Sequence, residues 1–86
     1  MKKITIYSSL ICPYCFKAKQ ILDQCKFNYN EIIVDGDPQL RCQMKKKANG
    51  KNTVPQIFFG KKLIGGFDEL YTLFQNGKLK DALEIK

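Results

Sequence analysis

The chain has 86 residues, 44% of them apolar and 27% charged, which suits one compact domain over 1–86 and is too apolar for a disordered segment. No run approaches the roughly 20 apolar residues of a membrane span, so no membrane partner is expected. A formal charge of +7 favours an anionic partner, but the lysines are dispersed apart from Lys45-Lys46-Lys47 and no aromatic-rich motif accompanies them, so a solvated basic surface is expected rather than nucleic-acid binding.

Ile4 and Ile6 alternate with Thr5 and Tyr7, a period-2 pattern that predicts a short strand ending near Ser8. Lys2-Lys3 lead into no long apolar run before Cys12-Pro13, so no export signal is expected and the cytoplasm is the expected compartment. In that reducing setting, four cysteines in so short a chain point to redox or metal chemistry rather than to a disulfide scaffold. After the loop Ser9-Leu10-Ile11, Pro13 fits the first position of a helix. Ala18, Ile21, Leu22 and Cys25 then follow at i, i+3, i+4 and i+7 as one buried stripe.

Tyr29 to Val34 contains Ile32-Ile33-Val34, apolar on consecutive positions, which predicts a strand covered on both faces. Asp37-Pro38 is a cap and first-turn pair; Leu40, Met44 and Ala48 recur every four residues until Asn49-Gly50 stops the helix. Val54-Pro55 opens a second apolar run, Ile57-Phe58-Phe59, and Gly60-Lys61 predicts a two-residue turn into Lys62-Leu63-Ile64. Gly65-Gly66 breaks that strand. Phe67, Leu70, Tyr71 and Phe74 return to helical spacing until Gly77, and Leu79, Ala82 and Leu83 predict one more short helix. The order βαβαββα demands an α/β fold with a four-stranded mixed sheet, because the first two strands are joined through a helix and the last two by a tight turn.

Cys12-Pro13-Tyr14-Cys15 follows a strand and opens a helix, the context in which a C-x-x-C reads as a redox pair. A helix start offers unpaired N–H groups and the positive end of the dipole, which together stabilise a thiolate at Cys12 and make it the expected nucleophile. Cys15 lies on the same side of the first turn, deeper and farther from those amides, and suits resolution. Pro13 presets the helical φ. A zinc site with Cys25 and Cys42 is the competing reading, but the spacing C-x2-C-x9-C-x16-C lacks a second close knuckle, so no metal is expected. Cys25 belongs to an apolar stripe and reads as a packed core thiol; Cys42, beside Arg41 and off the Leu40-Met44-Ala48 stripe, reads as exposed.

Thr53-Val54-Pro55 places a proline at the start of a strand, where a missing N–H is tolerable. Local preference favours a trans Val54-Pro55 bond; a cis bond would turn the Val54 backbone outward to pair with an extended peptide. Gly65-Gly66-Phe67-Asp68 combines a flexible pair with a helix start whose N–H groups can hold a carboxylate, although a plain chain reversal explains it as well.

Taken together, Cys12-Pro13-Tyr14-Cys15, Thr53-Val54-Pro55-Gln56-Ile57-Phe58 and Gly65-Gly66-Phe67-Asp68-Glu69-Leu70 resemble the three motifs of dithiol glutaredoxins, a likeness spanning nearly the whole chain. The resemblance implies a thioredoxin-like three-layer α/β/α fold, a cis-proline at Pro55, and a groove for the glutathionyl half of a mixed disulfide. It implies that Cys12 takes the glutathione, Tyr14 flanks the sulfur, the Val54 backbone pairs with the cysteinyl unit, and Phe67 and Asp68 hold the γ-glutamyl end. Thr53, Pro55 and Gly66 count with them as glutathione-binding residues, and Arg41 with neighbouring lysines meets the glycyl carboxylate.

The implied activity is glutathione-dependent thiol-disulfide exchange on protein disulfides and glutathione mixed disulfides. Glutathione would be the reductant, the protein a monomer, and glutathionylated proteins or ribonucleotide reductase the clients. Two positions depart from the pattern: Ser9 stands where many relatives carry a lysine, and Phe67 where Cys, Ser or Thr is common. The alternatives are a thioredoxin-reductase-dependent redoxin, which Gly66-Phe67 mildly resembles, and an iron-sulfur carrier, against which Pro13 and Cys15 argue.

Overall fold

The structure, a computed structural model, describes residues 3–79. Its elements run β1 (Ile4–Ser8), α1 (Pro13–Gln24), β2 (Tyr29–Ile33), α2 (Pro38–Lys47), β3 (Gln56–Phe59), β4 (Lys62–Gly65) and α3 (Phe67–Gln75). This is the order expected from the sequence. The additional helix through Ala82 and Leu83 lies outside the described residues, although Leu79 is buried in the core.

The strands form one sheet in the order β2-β1-β3-β4. β1 runs parallel to β2, with Ile4 opposite Tyr29 and Ser8 opposite Ile33, and antiparallel to β3, with Ile4 opposite Phe59. Alternate side chains of the central strands feed two cores, as the pleat requires. Ile4, Ile6, Ile57 and Phe59 pack with Ala18, Ile21 and Leu22 of α1 and Leu70 of α3 on one face. Tyr7 and Phe58 pack with Val34, Met44 and Ala48 on the other, under α2. The result is the three-layer α/β/α arrangement of the thioredoxin-like fold.

Two strands exchange the environments that their local patterns suggest. β2, with its consecutive apolar residues, stands at the sheet edge; Ile32 and Ile33 are half-buried while Asn30 and Glu31 are exposed. β1, whose sequence alternates, is central and covered on both faces, so that Tyr7 is buried against Phe58 with ring centroids 5.6 Å apart. Neighbours in the sheet decide coverage, and they are set by strand order rather than by the strand's own residues.

The hairpin turns at Gly60-Lys61, where Gly60 takes a φ of 60°, the left-handed value that its first turn position demands. Its register shifts between Ile57 and Phe58, bringing Gly65 opposite Ile57. That bulge steers the end of β4 toward the start of α3.

Candidate active site

Three chain breaks converge at one end of the sheet: the loop after β1, the Thr53-Val54-Pro55 segment before β3, and the Gly65-Gly66 link into α3. Cys12 is the N-cap of α1, in an extended conformation, with Pro13 as first helical residue. Its Sγ accepts a hydrogen bond from the Cys15 amide at 3.2 Å. As a thiol it also donates to the Val54 carbonyl at 3.7 Å. The sulfur thus takes the role that a serine or aspartate oxygen fills at an ordinary helix start, with the free amides and positive dipole end directed at it. Cys12 is half-buried, open enough to be attacked and to attack.

Cys15 differs in every respect. It is fully buried, and burial first, then its hydrogen bond with Cys12, push its thiol up to about 12. Burial in this position disfavours the thiolate form. The loop that delivers the pair is tied down from the far side. The Leu10 amide donates to Asp35 Oδ2 at 2.9 Å, and the Ser9 hydroxyl together with that amide holds the Asp35 carboxyl below its ordinary range. This leaves Leu10 and Ile11 outside, 77% and 89% exposed beside Cys12.

The Val54-Pro55 peptide bond is cis, as the resemblance implies and local preference does not. Beside it runs an open cleft of about 310 Å³, lined by Tyr14, Lys51, Thr53, Val54, Pro55, Gln56, Gly66, Phe67, Asp68 and Glu69. Seven of the residues singled out in the sequence therefore share one groove: Tyr14, Thr53, Val54, Pro55, Gly66, Phe67 and Asp68. Gly66 lies so close to the groove floor that a Cβ there would stand 3.3 Å from the Pro55 carbonyl oxygen. Gly65 is more constrained still. It has a φ of 127°, and a Cβ would come within 2.5 Å of Glu69 Oε1.

Arg41 is not among the lining residues. Its Nε donates to Asn52 Oδ1 at 3.1 Å and its terminal amino group to the Asn52 carbonyl at 3.2 Å. It braces the segment leading to Thr53, and the cation in the groove wall is Lys51. Three further residues line the groove beyond those that the sequence marks as site residues: Lys51, Gln56 and Glu69. Glu69 Oε1 accepts from the Gly66 amide at 2.7 Å, a capping arrangement readable in the spacing Gly66-x-x-Glu69. Gln56 is buried; its Nε2 donates to the Thr53 carbonyl at 3.0 Å and hydroxyl at 3.2 Å, fixing the turn before the proline.

Two of the lining residues, Tyr14 and Phe67, begin a row of aromatic rings. Tyr14 packs on Phe67 with centroids 5.6 Å apart, Phe67 stacks on Tyr71 at 5.4 Å, and the Lys17 ammonium lies 5.5 Å from the Tyr14 ring centroid. The Phe67 side chain thus continues an apolar ladder where the related motif commonly has a small polar residue. Of the other cysteines, Cys25 caps the end of α1 and packs against the first core, while Cys42 is exposed on α2.

A C-x-x-C pair whose leading sulfur caps the first helix of this four-stranded α/β/α fold defines a class, the thiol oxidoreductases of thioredoxin-like architecture. Comparison with known proteins narrows it. The glutaredoxin family model matches residues 4–64. A glutaredoxin of Pseudomonas aeruginosa is 46% identical over 83 residues, 96% of each chain. The solution structure of a glutaredoxin from Brucella melitensis superposes with a TM-score of 0.83 at 42% identity, covering 96% of this chain and 89% of that one. A crystal structure of a buckwheat glutaredoxin–glutathione complex superposes with a TM-score of 0.84 at 29% identity, covering 96% of this chain and 77% of that one. The chain belongs to the glutaredoxin family.

Proposed function

We propose that this protein is a glutathione-dependent dithiol glutaredoxin that reduces protein disulfides and glutathione mixed disulfides, acting as a single-domain monomer in the cytoplasm. The observation that carries the reading is Cys12 Sγ as helix cap, 3.2 Å from the Cys15 amide and 3.7 Å from the carbonyl of Val54, a residue that lines the groove. The glutathione complex of the buckwheat relative supports taking that groove as the glutathionyl site. In it the Val54 backbone pairs with the cysteinyl unit between Thr53 and Pro55, and Tyr14 flanks the sulfur. The γ-glutamyl carboxylate meets the amides of Phe67 and Asp68 at the start of α3, beyond Gly66. Lys51 faces the glycyl carboxylate, and Arg41 acts on that end through Asn52.

With a glutathione mixed disulfide, Cys12 thiolate attacks the glutathione sulfur, the client leaves as a thiolate, and Cys12 carries the glutathione. A second glutathione thiolate attacks that sulfur, releasing oxidised glutathione and restoring Cys12. With a protein disulfide, Cys12 first bonds to the client; Cys15 then attacks Cys12, freeing the client, and two glutathiones reduce the Cys12–Cys15 bridge. Glutathionylated proteins and ribonucleotide reductase are the clients this chemistry fits.

The test is reduction of the mixed disulfide of glutathione and β-mercaptoethanol, coupled to NADPH through glutathione reductase. Wild type and Cys15→Ser turn over and Cys12→Ser does not. Wild type that is inactive with glutathione but reduced by thioredoxin reductase replaces this reading with that of a redoxin, and would trace to Ser9 and Phe67.

A further inference from the structure

The resolving thiol has a neighbour that the mechanism has not used. Lys19 lies four residues after Cys15 on α1, so the two side chains share one helix face with Cβ atoms about 5–6 Å apart. Lys19 does not extend into solvent. Its ammonium bonds Glu31 Oε2 on β2 at 2.7 Å, with the Lys19 side chain 23% exposed. The same carboxylate oxygen accepts from the buried Ser8 hydroxyl at 2.6 Å, at the end of β1. A chain of three polar residues thus crosses from the end of the central strand to the helix face behind the redox pair.

We propose that Lys19 is a positioning residue for the resolving step, its ammonium pinned by Glu31 one helical turn from Cys15 so that a fixed positive charge stands near the sulfur that attacks. The inference rests on the dithiol reading above. The charge is fixed because each partner holds the other ionised. Glu31 raises the Lys19 ammonium above its ordinary range. For Glu31, burial is outweighed by the bonds from Lys19 and Ser8, and its carboxyl falls below its ordinary range. Neither group is suited to take a proton near neutrality. What Lys19 supplies is its field, a smaller pull toward the thiolate than the Ser9 backbone contact, and both oppose the burial that disfavours ionisation of Cys15. The other titratable groups close by are Cys12 at the cap, Tyr29 on β2, and Asp23 of α1 beside that tyrosine.

Cys15 loses its proton, its sulfur bonds to Cys12 Sγ, the bond between Cys12 and the client breaks, and the client leaves as a thiolate that takes up a proton. Cys12 and Cys15 end as a disulfide, and the client thiol is the reduced product.

Iodoacetamide alkylation of Cys15 from pH 7 to 10 in the Cys12→Ser protein, resolved by mass spectrometry from Cys25 and Cys42, tests this role. Below the midpoint the rate tracks the thiolate fraction. Adding Lys19→Gln slows Cys15 alkylation about three- to tenfold at each pH, whereas Lys19→Arg restores it. In the protein with both cysteines, Lys19→Gln lowers the rate on a protein disulfide relative to the rate on the glutathione mixed disulfide, which bypasses Cys15. Equal alkylation in all three proteins overturns the inference and leaves the ion pair as a tie between α1 and β2. A wild type without glutathione-dependent turnover defeats the functional reading instead, since the alkylation series does not depend on turnover.

Discussion

Helix α1 starts on Pro13 after the extended cap residue Cys12, and helix α2 starts on Pro38 after the extended cap residue Asp37. Both caps accept from the first turn: Asp37 Oδ1 from the amides of Gln39 and Leu40 at 3.1 Å, Cys12 Sγ from that of Cys15 at 3.2 Å. The carboxylate closes its helix and has nothing further to do. Sulfur at the same position sits at the same dipole end and accepts from the Cys15 amide, but it is only half-buried and also reaches the carbonyl of Val54 in the groove wall. Stabilising a helix start and stabilising a thiolate are therefore one physical act, and the chemistry of the cap atom decides which of the two is useful.

The two helix starts become most alike, and activity suffers most, in Cys12→Asp, which gives α1 the cap of α2. Exchange activity with glutathione falls more than about a thousandfold, because the nucleophile is gone. Urea unfolding shows stability unchanged or raised by about 0.5–1 kcal/mol, as suits a better cap. The converse change, Asp37→Ala, costs about 1 kcal/mol in the same unfolding measurement and leaves turnover within about twofold of wild type, since Asp37 is not among the residues that line the groove. The smallest effect belongs to the Lys19–Glu31 pair. The Glu31 carboxyl lies below its ordinary 4.5 in the folded protein, so its contribution is complete above that pH and is lost as pH falls through the folded value. Glu31→Gln flattens this acid limb of the stability curve by less than about 1 kcal/mol, and thermal unfolding between pH 3 and 6 reads the difference.

Much of this architecture was legible because it is local. Pro13 with Ala18, Ile21 and Leu22, Asp37-Pro38 with Met44 and Ala48, and the Gly60-Lys61 turn each specify an element through nearest-neighbour geometry, and the three glutaredoxin-like motifs located the groove. What was hidden depends on distant partners. Nothing in Ile32-Ile33-Val34 says that β2 is an edge strand, and nothing in Ile4-Thr5-Ile6-Tyr7 says that β1 is central. Local preference favours a trans Val54-Pro55 bond, and nothing in the two residues themselves announces the cis bond found. Arg41 and Lys51 are both basic and near the motif, and only the three-dimensional path of Asn52 separates the brace from the wall. Nothing in the sequence around Lys19 sets it apart from the other lysines; its partner Glu31 lies on β2, twelve residues on.

The Gly60-Lys61 turn lies at the opposite end of the β3–β4 ribbon from Pro55 and Gly66, about 13 Å away along four strand residues. Both turn residues are exposed, and the tip is anchored by the Gly60 amide donating to the Lys3 carbonyl at 2.8 Å. That makes it the natural insertion point of the molecule. Lengthening the loop costs only about 0.6 kcal/mol for each doubling. An affinity tag or fluorescent label grafted there leaves both helix caps at the redox end undisturbed.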